Sequence, residues 1–275
     1  MTSTSELAGA RSANEILAWV PGEGSFRPDE DRRSARFDIA DSWLVVDGAV
    51  RGLGHHRDRF VGSCAACHGV PVDVANEFFT AACAMVPSEG RWFPRVEYSR
   101  ETGFRVRVRP TAAAAPSVAL GLFGAPDPRR RPTVKGPDLE LLIRLRARAS
   151  AISKADEVLL VSKDGIVLEG SLSSVLWWRG DVLCAPAMDL PVLPGVTRRL
   201  VLNMASDLGV EVRFERCTPK DLNGLEVWCL SALHGIRFVA SWVGTGFDAA
   251  PPRRAMDWQA ALARIPFDES GGKCH

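Results

Sequence analysis

Residues 156–186 read DEVLLVSKDGIVLEGSLSSVLWWRGDVLCAP, and this stretch predicts four consecutive β-strands. Two apolar runs flank a Lys-Asp-Gly turn and two more flank an Arg-Gly-Asp turn, as expected for strands joined by tight turns. The next motif, LPGVTRR at residues 193–199, joins a loop to a predicted helix that ends at Gly209. We therefore predict an α+β fold for this part of the chain.

The N-terminal half is also predicted to be α+β. It contains a hairpin signal at Asp47-Gly48, two segments with helical spacing, and the stretches WFPRVEYS and FRVRVRPT, in which apolar and charged side chains alternate. Residues 1–33 lack such a pattern, and we interpret them as an arm with one short helix near Ala13–Trp19.

A change of composition divides the chain into two parts. In LGLFGAPDPRRRPTVKGPDL, four prolines and three consecutive arginines interrupt every period. We predict a small N-terminal domain over residues 1–123, an interdomain linker over 124–133 and a larger domain over 134–275.

Composition and charge bound the function. The chain has 275 residues with 46% hydrophobic and 24% charged positions, which excludes a disordered, collagen-like or coiled-coil protein. The formal net charge is +1, so a small molecule is a better expected partner than nucleic acid or an anionic membrane. The sequence contains no run of about 18 apolar residues, so it predicts no membrane-spanning helix. Since the first residues lack a secretory signal pattern, we expect a cytoplasmic protein whose seven cysteines are reduced.

A cysteine motif favours a different class of function. Cys64-Ala65-Ala66-Cys67-His68 matches the CxxCH pattern of covalent haem attachment, and Cys83 is a third candidate ligand for zinc. The segment also has helical spacing, and burial on a helix is the usual fate of a free cysteine. A haem- or metal-binding protein that uses Cys64, Cys67 and His68 therefore stays open as an alternative.

Three other features together suit a phosphorylated cofactor. Lys135 precedes a predicted helix directly after the linker, where it is either a desolvated amine that attacks carbonyl groups or a surface lysine. Glu169 ends a predicted strand and is either buried with a partner or exposed to water. The helix start at LPGVTRR, with the Thr197 hydroxyl, suits a phosphate or forms a plain cap. A lysine, a carboxylate and a phosphate site form the set that pyridoxal phosphate requires.

The order of these features resembles the fold type IV family of pyridoxal-phosphate enzymes, which includes branched-chain and D-amino-acid aminotransferases and 4-amino-4-deoxychorismate lyases. Residues 156–186 are similar to the family's strand, E-G-x-x-S-N and strand sequence, and LPGVTRR is similar to its L-x-G-[IV]-T-R motif. HHRDRF at residues 55–60 resembles its H-x-x-R-[LF] segment. The resemblance implies a small N-terminal domain, a larger cofactor domain and a homodimer.

The resemblance also implies roles for individual residues. Lys135 forms the Schiff base with the cofactor and moves the proton at the α-carbon of the substrate. Glu169 pairs with the protonated ring nitrogen, Arg59 binds the phosphate and Leu193 packs against the ring. The other residues that the resemblance places at the cofactor are Gly195, Val196, Thr197, Ser173, Ser174, Ser231 and Ala232.

The predicted substrate pocket departs from the family pattern. Many members carry R-G-x-x-x-G-D-G-[VL]-F-E-T before the first hairpin, whereas this chain has RRSARFDIADSWLVVDG at residues 32–48. Its single tyrosine, Tyr98, lies elsewhere, so no known specificity transfers directly. Arg95, Arg105 and Arg107 are candidates for binding a substrate carboxylate, or they form a solvated sheet face.

We therefore expect a pyridoxal-phosphate-dependent aminotransferase that acts on an amino acid and a 2-oxo acid, without a metal ion. A 4-amino-4-deoxychorismate lyase that releases pyruvate and 4-aminobenzoate is the alternative, and a member that binds the cofactor without turnover is a further one. Amino-group transfer is favoured because no feature of the sequence enforces elimination.

Overall fold

The computed structural model describes residues 15–29, 36–113 and 115–265. The chain divides into two compact units, one comprising Met1–Ala112 with Phe267–His275 and the other Ala113–Pro266. Each unit contains helices and β-sheet, which confirms the predicted α+β class. No helix within the described ranges is long and apolar enough to cross a membrane.

Within the described residues, the elements of the first unit are β1 (Ile16–Val20), β2 (Ser25–Pro28), β3 (Ile39–Ser42), β4 (Val45–Val46), β5 (Ala49–Val50), α1 (Leu53–His68), α2 (Val72–Ala84), β6 (Arg91–Trp92), β7 (Arg95–Ser99) and β8 (Gly103–Arg107). The strands form two antiparallel sheets, one of five strands in the order β2-β1-β8-β7-β3 and one of three in the order β5-β4-β6. The predicted hairpin is present, because Asp47 and Gly48 turn the chain between β4 and β5 with φ angles of 48° and 77°.

Aromatic side chains form the core of this unit. Phe78 of α2 stacks on Phe104 of β8 with ring centroids 4.6 Å apart, and Phe60 of α1 contacts both rings. Burial of large rings of this kind contributes much of the stability of a small core.

The predicted N-terminal arm is corrected by the structure. The part between Ile16 and Pro28 forms β1 and β2, and β1 pairs antiparallel with β8 inside the five-stranded sheet. Leu17 and Trp19 are buried while their neighbours are less so, which is strand periodicity and not the predicted helix. Residues 1–14 and 30–33 of the predicted arm lie outside the described residues.

The elements of the second unit are β9 (Ser117–Pro126), α3 (Leu139–Ser153), β10 (Glu157–Val161), β11 (Val167–Gly170), β12 (Ser174–Arg179), β13 (Val182–Pro186), α4 (Val196–Asp207), β14 (Val212–Glu215), a 3-10 helix (Pro219–Leu222), β15 (Val227–Ser231), β16 (Gly235–Val243) and α5 (Ala255–Arg264). Its strands form an eight-stranded mixed sheet in the order β11-β10-β9-β16-β15-β12-β13-β14.

Both faces of this sheet are buried. Trp177 and Trp178 are neighbours on β12 and point to opposite faces, so each belongs to a different apolar cluster. Trp178 meets Trp258 of α5 with ring centroids 5.5 Å apart. The apolar run of β12 therefore marks a strand covered on both sides.

The boundary between the domains also differs from the prediction. Strand β9 pairs in parallel with β10 on one side and β16 on the other, so it lies inside the large sheet. The expected linker, residues 124–133, overlaps the end of β9 and lies within the second unit. Its prolines and arginines belong to a folded connection between β9 and α3, and the chain changes unit at Ala112 instead.

Candidate active site

The connection between β9 and α3 is held in shape by two aspartates. The Asp127 backbone N–H donates to the carbonyl oxygen of Val161 at 2.8 Å. The buried carboxylate of Asp138 accepts the backbone N–H groups of Arg130 and Arg131 at 3.1 and 2.9 Å. These bonds tie the arginine segment both to the sheet and to the start of α3.

Lys135 lies in this connection, half-buried and four residues before α3 begins. The following residue, Gly136, has a φ of 138°, a backbone conformation that side-chain-bearing residues rarely adopt. The glycine thus permits the sharp change of direction that separates Lys135 from the helix.

Glu169 is buried at the end of β11, with 4% of its surface exposed. Its Oε1 accepts the Leu193 backbone N–H at 2.8 Å and Arg129 Nη1 at 2.5 Å. Burial raises the pKa of the carboxyl group, and the Arg129 charge and the Leu193 N–H oppose that increase. Glu169 is therefore buried with a partner, and the alternative interpretation, a carboxylate exposed to water, is wrong.

The start of α4 presents backbone N–H groups. Gly195 is its N-cap residue in an extended conformation, and among the described residues no side chain caps this end. The first N–H groups of a helix have no partner within the helix, and the positive end of its dipole favours an anion. Val196 and Thr197 are both buried in this first turn.

Ser174 explains why a glycine precedes this helix. A Cβ placed on Gly195 would lie 2.5 Å from Ser174 Oγ, which is closer than real Cβ contacts come. Ser174 begins β12, so this strand and the start of α4 approach each other without an intervening side chain.

Ser173, which the resemblance places at the cofactor, and Ser171 both bind the carboxylate of Glu157. Glu157 is fully buried on β10, and its oxygens accept the hydroxyl groups of Ser171 and Ser173, the latter at 2.9 Å. The carboxylate thus holds the segment that follows Glu169. Sequence reasoning missed Glu157 as the partner of these serines, and the cofactor contact of Ser173 stays a prediction.

Ser231 forms a local pair with a histidine. Its Oγ lies 3.0 Å from His234 Nδ1 and accepts the His234 backbone N–H at 3.2 Å. Burial and the charges of Arg237 and Arg146 lower the pKa of His234 to about 4, so the ring is neutral near pH 7. Ala232 follows directly and supplies a methyl group.

Arg59 lies in the first unit, on α1. Asp41 of β3 accepts Arg59 Nε at 2.7 Å and Nη2 at 2.8 Å, and His56 Nδ1 lies 2.7 Å from the same carboxylate. Burial opposes ionisation of Asp41, but Arg59 and His56 hold its pKa well below the usual range. The H-x-x-R motif therefore places both residues on one buried aspartate, a partner that the motif does not reveal.

The three candidate substrate arginines share one face of the first unit's sheet. Arg95 and Arg107 are cross-strand partners, and Arg105 pairs with Glu97. Arg105 is buried and bound to Asp29 and Glu97, at 2.9 and 3.3 Å, so the structure gives it a structural role. Burial and the nearby charge of Arg95 lower the pKa of Arg107, which marks a crowded group of cations and not a fully solvated face.

The CxxCH segment forms the last turns of α1. Cys64 is buried, and burial together with Cys67 raises the pKa of its thiol to about 12, which disfavours the thiolate that a metal requires. His68 Nδ1 accepts Arg100 Nε at 2.8 Å. Within the described ranges, no group of three histidine, cysteine or acidic side chains is arranged to hold a metal ion. These contacts favour the interpretation as helix core.

Arg129 is the residue of the site that sequence reasoning missed most clearly. It was assigned to a linker, yet only 4% of its side chain is exposed, and it joins Asp127 to Glu169. The available signal was the expectation that a buried Glu169 needs a cationic partner, combined with three arginines shortly before Lys135.

The second unit thus combines three chemical elements. A lysine lies in the β9–α3 connection, that connection is bonded through Arg129 to a buried carboxylate, and the carboxylate is bonded to the loop that enters α4. Glu169 can accept a hydrogen bond from a cationic N–H group, and the helix start can hold an anionic group.

Known proteins show the same fold. Over 95% of this chain and 97% of the other, the structure matches the branched-chain amino acid aminotransferase of Escherichia coli with a TM-score of 0.76 and 18% identity. It also matches the pyridoxal-phosphate-bound form of a hypothetical Mycobacterium tuberculosis aminotransferase, with a TM-score of 0.70, 19% identity and coverage of 90% and 97%. A putative 4-amino-4-deoxychorismate lyase of Legionella pneumophila gives a TM-score of 0.66, with 19% identity and coverage of 82% and 89%.

Two sequence comparisons complete these findings. The aminodeoxychorismate lyase of Bacillus subtilis is 38% identical over 60 residues, which are 22% of this chain and 20% of that protein. A family model described as amino-transferase class IV matches residues 38–242, about three quarters of the chain. The resemblance drawn from the motifs is therefore confirmed, and the chain belongs to the class IV aminotransferase family.

Proposed function

We propose that this chain binds pyridoxal 5′-phosphate and transfers an amino group between an amino acid and a 2-oxo acid, with Lys135 as the residue that links to the cofactor. The observation that carries the proposal is the buried Glu169 carboxylate, whose Oε1 is fixed by Leu193 and Arg129. The family is dependent on this cofactor, which supports the assignment.

The residues present fit the cofactor. A buried carboxylate suits the protonated nitrogen of a pyridine ring, and the uncapped start of α4 suits a phosphate. When bound, pyridoxal phosphate accepts the electrons left at the substrate's α-carbon. The resemblance assigns Arg59 to the phosphate as well, and this assignment stays a prediction.

The chain's own residues perform the remaining tasks. The Lys135 amine removes the proton from the α-carbon and delivers it again, since a lysine held at the reacting atoms is a suitable base. Glu169 keeps the ring nitrogen protonated because a carboxylate stabilises an adjacent cation. Leu193 supplies both an apolar side chain and the N–H group that orients Glu169.

A lyase is the second candidate, because the Bacillus subtilis relative is described as an aminodeoxychorismate lyase. Both reactions begin with the same proton removal by Lys135, and they differ in where the next bond changes. Elimination would release pyruvate and 4-aminobenzoate, whereas amino-group transfer would release the 2-oxo acid of the amino donor.

One pair of assays tests the two candidates. The cofactor-loaded protein is mixed with a panel of L- and D-amino acids, and conversion to the spectrum of the amino form of the cofactor supports transfer. Release of pyruvate and 4-aminobenzoate from aminodeoxychorismate supports the lyase. Lys135→Ala should abolish either activity, while Lys163→Ala, which changes an exposed lysine in a turn, should retain it. Activity that survives in Lys135→Ala would contradict the proposal.

We further propose a homodimer, as the family resemblance implies. Light scattering on the purified chain should give twice the monomer mass of 29.9 kDa. A monomeric mass at working concentrations would contradict it.

A further inference from the structure

Arg129 has an unusual set of partners for a residue in a proline-rich connection. Its side chain is as buried as that of Glu169, and its Nη1 donates to Glu169 Oε1 at 2.5 Å. The Leu193 N–H donates to the same oxygen. Among the described residues, the hydrogen bonds to Glu169 therefore all end on Oε1, which leaves Oε2 available for a further donor.

Asp127 fixes the orientation of Arg129. Its two oxygens accept Arg129 Nε at 3.0 and 2.9 Å, and Oδ2 also accepts Nη2 at 2.7 Å. This two-pronged contact occupies one edge of the planar guanidinium group, so that Nη1 is directed to Glu169. A lysine could supply the charge but not both contacts in one plane.

We propose that Arg129, oriented by Asp127, is a positioning residue that holds the Glu169 carboxylate charged and rotated so that Oε2 receives the ring nitrogen of the cofactor. This inference rests on the proposed function, because the ring nitrogen belongs to the cofactor proposed there. Arg129 acts through Glu169 and needs no contact with the substrate.

The electrostatics support this role. Burial raises the pKa of Glu169, and Arg129 provides the largest opposing contribution, with Arg198 as a further nearby cation. Burial also disfavours the charge on Arg129, but Asp127 and Glu169 outweigh it and raise the pKa of the guanidinium group. Without Arg129, the Glu169 carboxyl group would be protonated over a wider pH range and could not pair with a protonated ring.

The test compares four variants of the full-length chain. Arg129→Gln removes the charge, and Arg129→Lys keeps a charge but loses the planar contact. Asp127→Asn removes the carboxylate charge that orients the guanidinium group and raises its pKa. Arg130→Gln makes the same change at the next residue, whose side chain is exposed, and serves as the matched control. Before cofactor is added, carbon-13 NMR follows the titration of the Glu169 carboxyl group, identified by its loss in Glu169→Gln. Afterwards, absorbance measures the dissociation constant for pyridoxal phosphate as a function of pH.

We expect Arg129→Gln to raise the pKa of Glu169 by about one unit or more and to weaken cofactor binding near pH 7 by at least about tenfold. The loss should shrink as the pH rises and Glu169 ionises, which a merely structural role would not produce. Arg129→Lys and Asp127→Asn should show smaller losses, and Arg130→Gln none. If Arg129→Gln does not fold, the cofactor dissociation constants of Arg129→Lys and Asp127→Asn test the positioning role instead.

An unchanged Glu169 titration and an unchanged cofactor dissociation constant in Arg129→Gln would overturn the role of Arg129. A wild-type chain that binds no cofactor would instead contradict the proposed function. The Glu169 titration is measured without cofactor, so it still tests the Arg129 role in that case, and an unshifted titration in Arg129→Gln would overturn that role. Failure of the proposed function and failure of the Arg129 role are therefore distinguishable.

Discussion

The Leu193 backbone N–H donates to Glu169 Oε1 at 2.8 Å, so the end of β11 is bonded to the loop that enters α4. A carboxylate suited to a cationic ring nitrogen and a helix start suited to a phosphate are thereby joined by one hydrogen bond. The two ends of a bound cofactor would be positioned by two segments that this hydrogen bond joins.

Replacement of Glu169 by glutamine tests the charge of this carboxylate. Glu169→Gln keeps the size of the side chain but cannot stabilise a protonated ring, so we expect kcat to fall by roughly a hundredfold or more. Steady-state kinetics measures the effect. Asp164→Asn, in an exposed turn, serves as the control. Wild-type kcat in Glu169→Gln would show that the charge has no role in the reaction.

The close approach of Ser174 to Gly195 predicts a compensating pair of substitutions. Gly195→Ala should destabilise the protein by about 1–3 kcal/mol, because the new Cβ overlaps Ser174 Oγ. Ser174→Ala removes that oxygen, so the double variant should recover most of the loss. Urea unfolding of both single variants and the double variant completes the cycle, and strictly additive effects would argue against the contact.

Asp41 is expected to stabilise the first unit in a pH-dependent manner. Asp41→Asn leaves the buried Arg59 and His56 without their carboxylate and should cost about 3–5 kcal/mol of unfolding free energy. Because the pKa of Asp41 is lowered on folding from 3.8, its contribution is present above pH 3.8 and is lost as the pH falls below that value.

Denaturant unfolding at several pH values measures this contribution. Asp58→Asn, which changes an exposed carboxylate paired with Arg57, should remain close to wild type because surface ion pairs contribute about 0–1 kcal/mol. The prediction is wrong if Asp41→Asn and the wild type lose stability equally as the pH falls below 3.8, the range in which the Asp41 contribution is lost.

Arg105 should behave as a structural residue. Arg105→Gln removes the cation from two carboxylates, Asp29 and Glu97, and should cost about 3–5 kcal/mol of stability. Where the variant is folded, KM for the amino donor should stay near the wild-type value. A raised KM with unchanged stability would return Arg105 to the candidate substrate ligands.

Much of the second unit was predictable from local sequence. The apolar runs around Lys-Asp-Gly and Arg-Gly-Asp gave the predicted order of strands, and LPGVTRR was correctly interpreted as a helix start. These features depend on turn chemistry and on periodicity over short distances, which neighbouring residues determine.

Contacts between distant residues could not be predicted in the same way. Residues 16–28 are strands because β1 pairs with β8 about 90 positions later in the chain. Arg129 belongs to the candidate site because Glu169, 40 positions away, is buried beside it. Proline and arginine content indicated a connection correctly, but it could not distinguish an exposed linker from one folded around a buried ion pair.

The most direct test of the account is to locate the cofactor on the chain. The protein is incubated with pyridoxal phosphate and reduced with borohydride, and its peptides are analysed by mass spectrometry. We expect one modified lysine, Lys135, with no modification of the site in Lys135→Ala and normal modification in Lys163→Ala. Modification of another lysine, or cofactor-dependent activity without a modified Lys135, would contradict it.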